Sequence, residues 1–215
     1  MIKKVGLLIK NPKLKYAIMC SLNEYNISFS ELSSLENIPN DMNAIFVDTL
    51  DNTYLSAKLY KKFKIIFVTN DFINQNSLLK MLPLIFKKSI FNEVIIGIDP
   101  GKTYGFIVLV DGHILFPKQF TELEFLIKSL LHLIEEIPTR TLIIRIGNGG
   151  GEYFENLLSR LMEFSSKKPH KEISIEIVDE SSLVNVATNF NGNNFPDNVL
   201  SAYIIALSRG KKIKF

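Results

Sequence analysis

Runs of apolar positions divide the first part of the chain into strand-length and helix-length segments. Four apolar runs have the length of strands: residues 3–10, 27–32, 44–47 and 65–68. Three stretches are predicted as helices: residues 14–22, 54–62 and 77–88, the last of which Pro83 should kink or divide. Strands that alternate with helices predict a small parallel α/β domain over residues 1–90.

From residue 91 the pattern changes to three strands in succession, followed by helices between further strands. The five strands are predicted at Val94–Asp99, Gly105–Val110, His113–Phe116, Thr141–Ile146 and Ile173–Val178. Helices are predicted after Thr121, over Tyr153–Phe164, and from about Pro196 to Arg209. Asp111-Gly112 is a strong signal for a two-residue hairpin between the second and third strands. This order predicts a second α/β domain with a mixed sheet over residues 91–215.

Composition and charge exclude some classes of protein. With 215 residues and 47% hydrophobic residues, the chain suits two small domains that each bury a core. No apolar run approaches the roughly 20 residues of a membrane span, and the start lacks a small-residue cleavage site. The single cysteine, Cys20, has no intrachain partner, which fits a reducing compartment, so we expect a cytoplasmic protein. The net charge of +3 permits nucleic-acid binding without arguing for it.

Asp99 is the first residue whose position suggests chemistry. It ends a strand that is apolar on both faces, as expected of a central strand covered by helices. Ligands of α/β sheets gather outside the carboxyl ends of such strands. Asp is also a common turn-former beside Pro and Gly, so a site residue and a turn residue are about equally consistent with the pattern.

The stretch Val94–Gly112, VIIGIDPGKTYGFIVLVDG, resembles the first strands of the RNase H-like superfamily, in particular RuvC-type Holliday-junction resolvases and YqgF-type proteins. These share a very similar Gly-x-Asp-x-Gly motif. The stretch also resembles the phosphate-binding hairpin of the actin and sugar-kinase group. The first resemblance implies an RNase H-like mixed sheet with flanking helices over residues 92–215, preceded by the small Rossmann-like domain.

That resemblance also implies a metal site. Nucleases of this fold hold two divalent ions, Mg²⁺ or Mn²⁺, with carboxylates from the first strand, a later strand and the last helix. Asp99 supplies the first. Ile177–Ser181, IVDES, matches the YqgF Asp-Glu-Arg motif except at Ser181, which implies Glu180 as a ligand with Asp179 beside it. An Asp-Glu pair that caps a helix explains the same residues.

The last helix supplies the third ligand in this family. Asp197 is the acidic residue near the expected position in PDNVLSAYIIAL, and the implied metal set is Asp99, Glu180 and Asp197. Alignment of Ser201-Ala202 with the Ala-Ala pair of the YqgF ending places Asn198 at the ligand position instead. The alignments that assign the ligand to Asp197 or to Asn198 differ by one residue.

Phosphate contacts are predicted in two places. Gly147–Gly151, GNGGG, leads into a helix, so free N–H groups at Asn148, Gly149 and Gly150 could bind a phosphate, although a flexible turn has the same composition. Lys102 and Arg145 could add positive charge. Arg145 lies where resolvases usually carry a Glu, and a guanidinium cannot bind metal.

Three functions follow. The first is a metal-dependent endonuclease that acts on branched or structured DNA or RNA, with a homodimer as the assembly that the resolvase resemblance implies. The second is a catalytically degraded RNase H-fold protein that serves as a nucleic-acid-binding or scaffold module, in which Arg145 pairs with Asp99 in place of a metal. The third is nucleotide binding of the actin or sugar-kinase type around Gly101–Gly105, which ranks last because residues 1–90 show no second Asp-x-Gly hairpin.

Overall fold

A computed structural model describes residues 4–36, 38–48, 62–72, 78–165, 172–182 and 195–213. The chain is a mixed α/β protein that divides into two compact units, Met1–Ile90 and Phe91–Phe215. The helix predicted at residues 54–62 lies outside the described residues except at its end. Within the described parts of the chain, no helix has both the length and the apolar character needed to cross a membrane.

The N-terminal unit contains a four-stranded parallel sheet. Its strands are β1 (Lys4–Leu8), β2 (Ser28–Glu31), β3 (Met42–Val47) and β4 (Lys64–Phe67), in the order β2-β1-β3-β4. Helix α1 (Pro12–Glu24) buries Leu14, Ile18 and Leu22, which share one helical face. Helix α2 (Leu78–Ile85) continues through Pro83, which is itself buried, so Pro83 does not divide it.

Asp48 stabilises the loop between β1 and α1 through hydrogen bonds to its backbone. Its Oδ2 accepts hydrogen bonds from the backbone N–H groups of Lys10 (2.9 Å) and Asn11 (2.7 Å). Asn11 in turn caps α1, since its Oδ1 accepts from the N–H groups of Lys13 and Leu14. The carboxylate thus satisfies backbone donors where β1 gives way to the helix.

The C-terminal unit contains a seven-stranded mixed sheet. Its strands are β5 (Phe91–Asp99), β6 (Tyr104–Val110), β7 (His113–Ile114), β8 (Lys118–Phe120), β9 (Thr139–Gly147), β10 (Glu172–Val178) and β11 (Lys211–Ile213). The order is β11-β10-β9-β5-β6-β7, and β8 also pairs with β6. Its helices are α3 (Leu123–Glu136), α4 (Glu152–Ser165) and α5 (Asp197–Leu207). A 3₁₀ turn, Glu180–Ser182, follows β10.

Two elements differ from the sequence prediction. The third strand of this unit is two short strands, β7 and β8, since Pro117 between them has no N–H for a ladder bond. The last helix ends at Leu207, and the chain returns as β11, antiparallel to β10. The connectivity of β5 to β10, antiparallel first and parallel afterwards, is compatible with an RNase H-like fold.

Helix α5 packs directly on the backbone of the central strands. A Cβ atom added to Gly97 of β5 would lie 2.1 Å from the carbonyl oxygen of Ala202, and one added to Gly105 of β6 would lie 1.9 Å from that of Asn198. Only glycine permits this approach. The first turns of α5 are therefore fixed above the end of β5, where Asp99 lies.

Candidate functional site

The site begins with a row of residues across three strands. Asp99 of β5 is paired with Gly105 of β6, and Gly105 is paired with Gln119 of β8. Directly paired residues point to the same face of a sheet, and here that is the face covered by α5. With about 4.8 Å between strands, the Asp99 and Gln119 backbones lie about 10 Å apart.

Glu180 reaches the same end of the sheet from the turn after β10. Its Oε1 accepts a hydrogen bond from the N–H of Gly149 (2.8 Å), and its own N–H donates to Oδ1 of Asn148 (3.1 Å). A Cβ atom on Gly147 would lie 2.1 Å from Oε1 of Glu180, so the glycine makes room for the carboxylate. The glycine-rich loop after β9 thus binds a carboxylate that the chain itself supplies.

This contact changes the role expected for the glycine-rich loop. The N–H of Gly149 is donated to Glu180, and Gly150 packs against the backbone of Pro100, with only 2.3 Å from an added Cβ to the carbonyl oxygen. Asn148 uses its side-chain oxygen for the N–H of Glu180. The prediction that these three residues form an open phosphate site does not fit the structure, because Glu180 already takes the place of the anion.

The two carboxyl groups influence each other. Burial, and next the negative charge of Glu180, raise the pKa of Asp99 from 3.8 to about 6, while a hydrogen bond from Ser201 acts in the opposite direction. A carboxyl group with such a pKa takes up a proton near neutral pH. Perturbed groups of this kind are concentrated at functional sites, although structural networks also produce them.

Helix α5 presents Asn198 and Ser201 to the site. Asn198 donates from Nδ2 to the carbonyl oxygen of Thr103 (3.3 Å), and its Oδ1 accepts from Nε2 of Gln119. Ser201, one turn later, bonds to Asp99. Asp197 is exposed in the first turn, 100° around the helix from Asn198. Asn198, and not Asp197, therefore points toward the strand ends where Asp99 lies.

Asp179 has a local structural contact. Its Oδ1 accepts hydrogen bonds from the N–H (3.1 Å) and the hydroxyl (2.8 Å) of Ser181, and these bonds lower the pKa of Asp179. This is the helix-capping arrangement that the sequence left open beside the metal-site interpretation.

The side chains do not fit the two-metal centre that the resemblance implied. Among the described residues, no three His, Cys, Asp or Glu side chains come together in a way that could hold a metal ion. Asp99 and Glu180 are near each other, but an amide bonded at both ends occupies the third position. Asp99, Glu180 and Asp197, the predicted ligand set, do not form such a group in the described part of the chain.

Arg145 lies on the same face of the sheet as Asp99, since it is paired with Gly97, but its side chain is bonded at the other end of α5. Its Nε donates to Oε2 of Glu176 on the neighbouring strand (2.9 Å), and its Nη1 donates to the carbonyl oxygen of Ala206 at the end of α5 (2.5 Å). Both partners of the ion pair are buried, at 8% and 7% exposure. The expected pairing with Asp99 is wrong, and so deep a guanidinium is out of reach of a phosphate. Lys102, in contrast, is exposed in the turn after β5.

Comparison with known proteins adds a distant structural likeness. No protein-family model matches the chain, and no curated protein matches it. The chain is similar to T. thermophilus RuvC. That structure was solved in complex with a Holliday junction substrate; it is 11% identical, the match covers 57% of this chain and 100% of that chain, and the TM-score is 0.43. At this distance the function must be argued from the site itself.

A hollow beside Gln119 contains functional candidates that the sequence analysis missed. We call it the aromatic hollow; it has a volume of about 310 Å³, and its walls include Lys118, Gln119, Phe120, Phe125 and Lys128. Phe125 is 58% exposed, whereas the neighbouring Leu126 is fully buried. The sequence contained a signal for this exposed ring. Phe125 lies outside the apolar stripe of Leu126, Leu130 and Leu133, so its side chain does not pack in the core.

Proposed function

We propose that the C-terminal unit is a nucleic-acid-binding module of RNase H-like architecture that does not cleave phosphodiesters by two-metal catalysis. The hydrogen bonding of Asn198 carries the proposal. Its amide joins the turn before β6 to β8 and α5, near Asp99, where the resemblance implies a carboxylate ligand. A neutral side chain that is bonded through both its oxygen and its nitrogen stabilises the frame of the site and adds no charge for a cation.

The aromatic hollow supports binding of an unpaired strand. Phe125 offers an exposed ring on which a base can stack, and Lys128 lies one helical turn further along α3 for a phosphate. Lys118 lies with its Nζ 5.4 Å from the ring centre of Phe120, which keeps a positive charge on the wall of the hollow. Stacking of this kind is tolerant of sequence, so we expect a preference for single strands rather than for one base sequence.

The position of the hollow connects it with the carboxyl pair. Gln119 lines the hollow and bonds to Asn198, and it belongs to the row that ends at Asp99. Measured across the strands, the backbone of Gln119 at the edge of the hollow lies about 10 Å from that of Asp99, while Lys118 and Phe120 point to the other face of the sheet. In this proposal, the site has lost metal-dependent catalysis but still binds nucleic acid, and Asp99 and Glu180 are the two acidic residues that it has kept.

The test is a combined binding and cleavage assay. Labelled single-stranded DNA, single-stranded RNA, duplex and four-way junction are titrated with the full chain in Mg²⁺ or Mn²⁺, and the same samples are run on denaturing gels. We expect intact substrates and binding that Phe125→Ala weakens by about 5-fold to 100-fold, the range of one base–aromatic stack. Tyr16→Ala, which removes an exposed ring from the N-terminal unit, is the matched control and should bind normally.

Two results count against the proposal. Metal-dependent cleavage that Asp99→Asn abolishes would restore the nuclease interpretation. Equal effects of Phe125→Ala and Tyr16→Ala would remove the aromatic hollow from the binding surface.

A further inference from the structure

The N-terminal unit contains a second hollow, of different chemistry. It has a volume of about 370 Å³ and lies between the start of β4 and the end of α2. Four lysines line it, Lys62, Lys64, Lys87 and Lys88, and we call it the lysine hollow. Its apolar walls are the side chains of Phe63 and Leu84.

The positive charges of Lys62, Lys64 and Lys87 are poorly compensated by the residues that the structure describes. None of the described residues that line the hollow is acidic. Lys62 has neutral partners, since its Nζ donates to Oδ1 of Asn40 (2.5 Å) and lies 5.2 Å from the ring centre of Phe63. In the part of the chain that the structure describes, Lys64 and Lys87 have no ion pair. Like charges held together without counter-charges favour a polyanionic ligand.

The backbone at Lys87 gives a second, independent observation. Lys87 has a φ of 57°, in the left-handed region where glycine is the usual residue. It ends α2, since the N–H of Lys88 donates to the carbonyl oxygen of Pro83 (2.8 Å) and the N–H of Lys87 donates to that of Leu84 (3.0 Å). Glycine would close this helix end without strain. A lysine is present instead, and its side chain is one of the four that line the hollow.

We infer that the lysine hollow binds the phosphates of a nucleic-acid backbone. Phosphate groups spaced along a strand complement several ammonium groups, and a lysine acts on phosphate as a point charge without a required geometry. The choice of a nucleic acid as the polyanion rests on the function proposed for the C-terminal unit. The hollow itself rests on residues of the N-terminal unit alone, so the two assignments are tested by different variants.

The test is the salt dependence of binding by the full chain. Each phosphate neutralised contributes roughly 0.9 to the slope of log K against log salt on duplex DNA and about 0.7 on a single strand. The variant Lys64→Gln/Lys87→Gly removes two charges, so we expect the slope to fall by about 1.4 to 1.8. Lys87→Gly also relieves the left-handed backbone, so the variant should melt no lower than the wild type, which separates lost binding from lost folding.

A matched control removes the same charge elsewhere in the unit. Lys13→Gln/Lys15→Gln takes two charges from α1, away from the lysine hollow, and should leave the slope close to that of the wild type. An equal fall in both variants would reduce the effect to net charge and overturn the inference.

The other outcomes separate the two proposals. An unchanged slope in Lys64→Gln/Lys87→Gly, with binding still weakened by Phe125→Ala, would overturn the lysine hollow and leave the C-terminal module standing. The absence of any nucleic-acid binding by the full chain would overturn both. If the variant abolished binding of inorganic pyrophosphate but kept the nucleic-acid slope, the hollow would belong to a small phosphate ligand, and the inference would again fail.

Discussion

Replacing Arg145 by Met should destabilise the C-terminal unit severely, because it leaves the carboxylate of Glu176 buried without its counter-charge. Glu176 is 7% exposed, and its Oε2 accepts from Nε of Arg145 at 2.9 Å. After the substitution, the N–H of Gly210 would remain at 3.4 Å, which is a weak bond. The substitution also removes the donor to Ala206 at the end of α5.

The magnitude follows from these contacts. Removing one partner of a buried ion pair costs about 3–5 kcal/mol, because the other charge stays buried. For a unit of this size, roughly 4 °C of melting temperature corresponds to 1 kcal/mol, so we expect a fall of about 12–20 °C. The double variant Arg145→Met/Glu176→Leu removes both charges and should recover most of that loss, since apolar replacements of buried pairs are often neutral or better.

Differential scanning calorimetry is the assay, because the chain has two compact units and the affected transition must be resolved from the other. Arg140→Met is the matched control: Arg140 is exposed on the same strand, and its loss should change stability by about 0.5 kcal/mol or less. If Arg145→Met cost no more than Arg140→Met, or if the double variant were as unstable as the single one, the account of the buried pair would be wrong.

Three further predictions concern the carboxylate end of the sheet. The pKa of Asp99 is raised from 3.8 to about 6 in the folded protein. The folded state therefore binds the proton of this carboxyl group more tightly than the unfolded chain does. The contribution of Asp99 to stability is full below pH 3.8 and is lost as the pH rises through 6. Asp99→Asn should therefore raise the melting temperature at pH 7.5, with a gain that fades towards pH 4; a gain independent of pH would contradict this. Gly105→Ala would place a Cβ atom 1.9 Å from the backbone of α5 and should cost about 1–3 kcal/mol or more in urea unfolding, whereas Gly101→Ala, with 3.6 Å to its nearest neighbour, should be well tolerated; similar costs would refute the close packing. Asn198→Asp adds a carboxylate next to the row of paired residues that ends at Asp99, so Mn²⁺ should raise the melting temperature of the variant more than that of the wild type, and equal shifts would show that residue 198 does not limit metal binding.

Local signals predicted much of the fold. Asp111-Gly112 predicted a tight hairpin, and both residues have positive φ, 46° and 80°, as a type I′ turn requires. The apolar stripe of Leu126, Leu130 and Leu133 is the buried face of α3. These features depend on residues close in sequence, so their pattern is visible without the tertiary structure.

The partners of the site residues could not be predicted in the same way. A strand pattern shows which face Arg145 occupies, but Glu176 becomes its partner only through the register of β9 and β10. A shift of one residue on α5 turns a side chain by 100°, so the choice between Asp197 and Asn198 depended on how the helix packs at Gly105. Both are non-local contacts.

The hydrogen bonds of Asp48 determine what else could bind at the turn between β1 and α1. In parallel sheets of this kind, the turn from the first strand into its helix is where a bound phosphate receives backbone N–H groups. Here the chain supplies its own anion, as the carboxylate of Asp48 takes the N–H groups of Lys10 and Asn11. An incoming phosphate would have to compete with a tethered carboxylate whose effective concentration is far above that of any free ligand. Evolution of a nucleotide site at this turn would therefore first require the loss of Asp48.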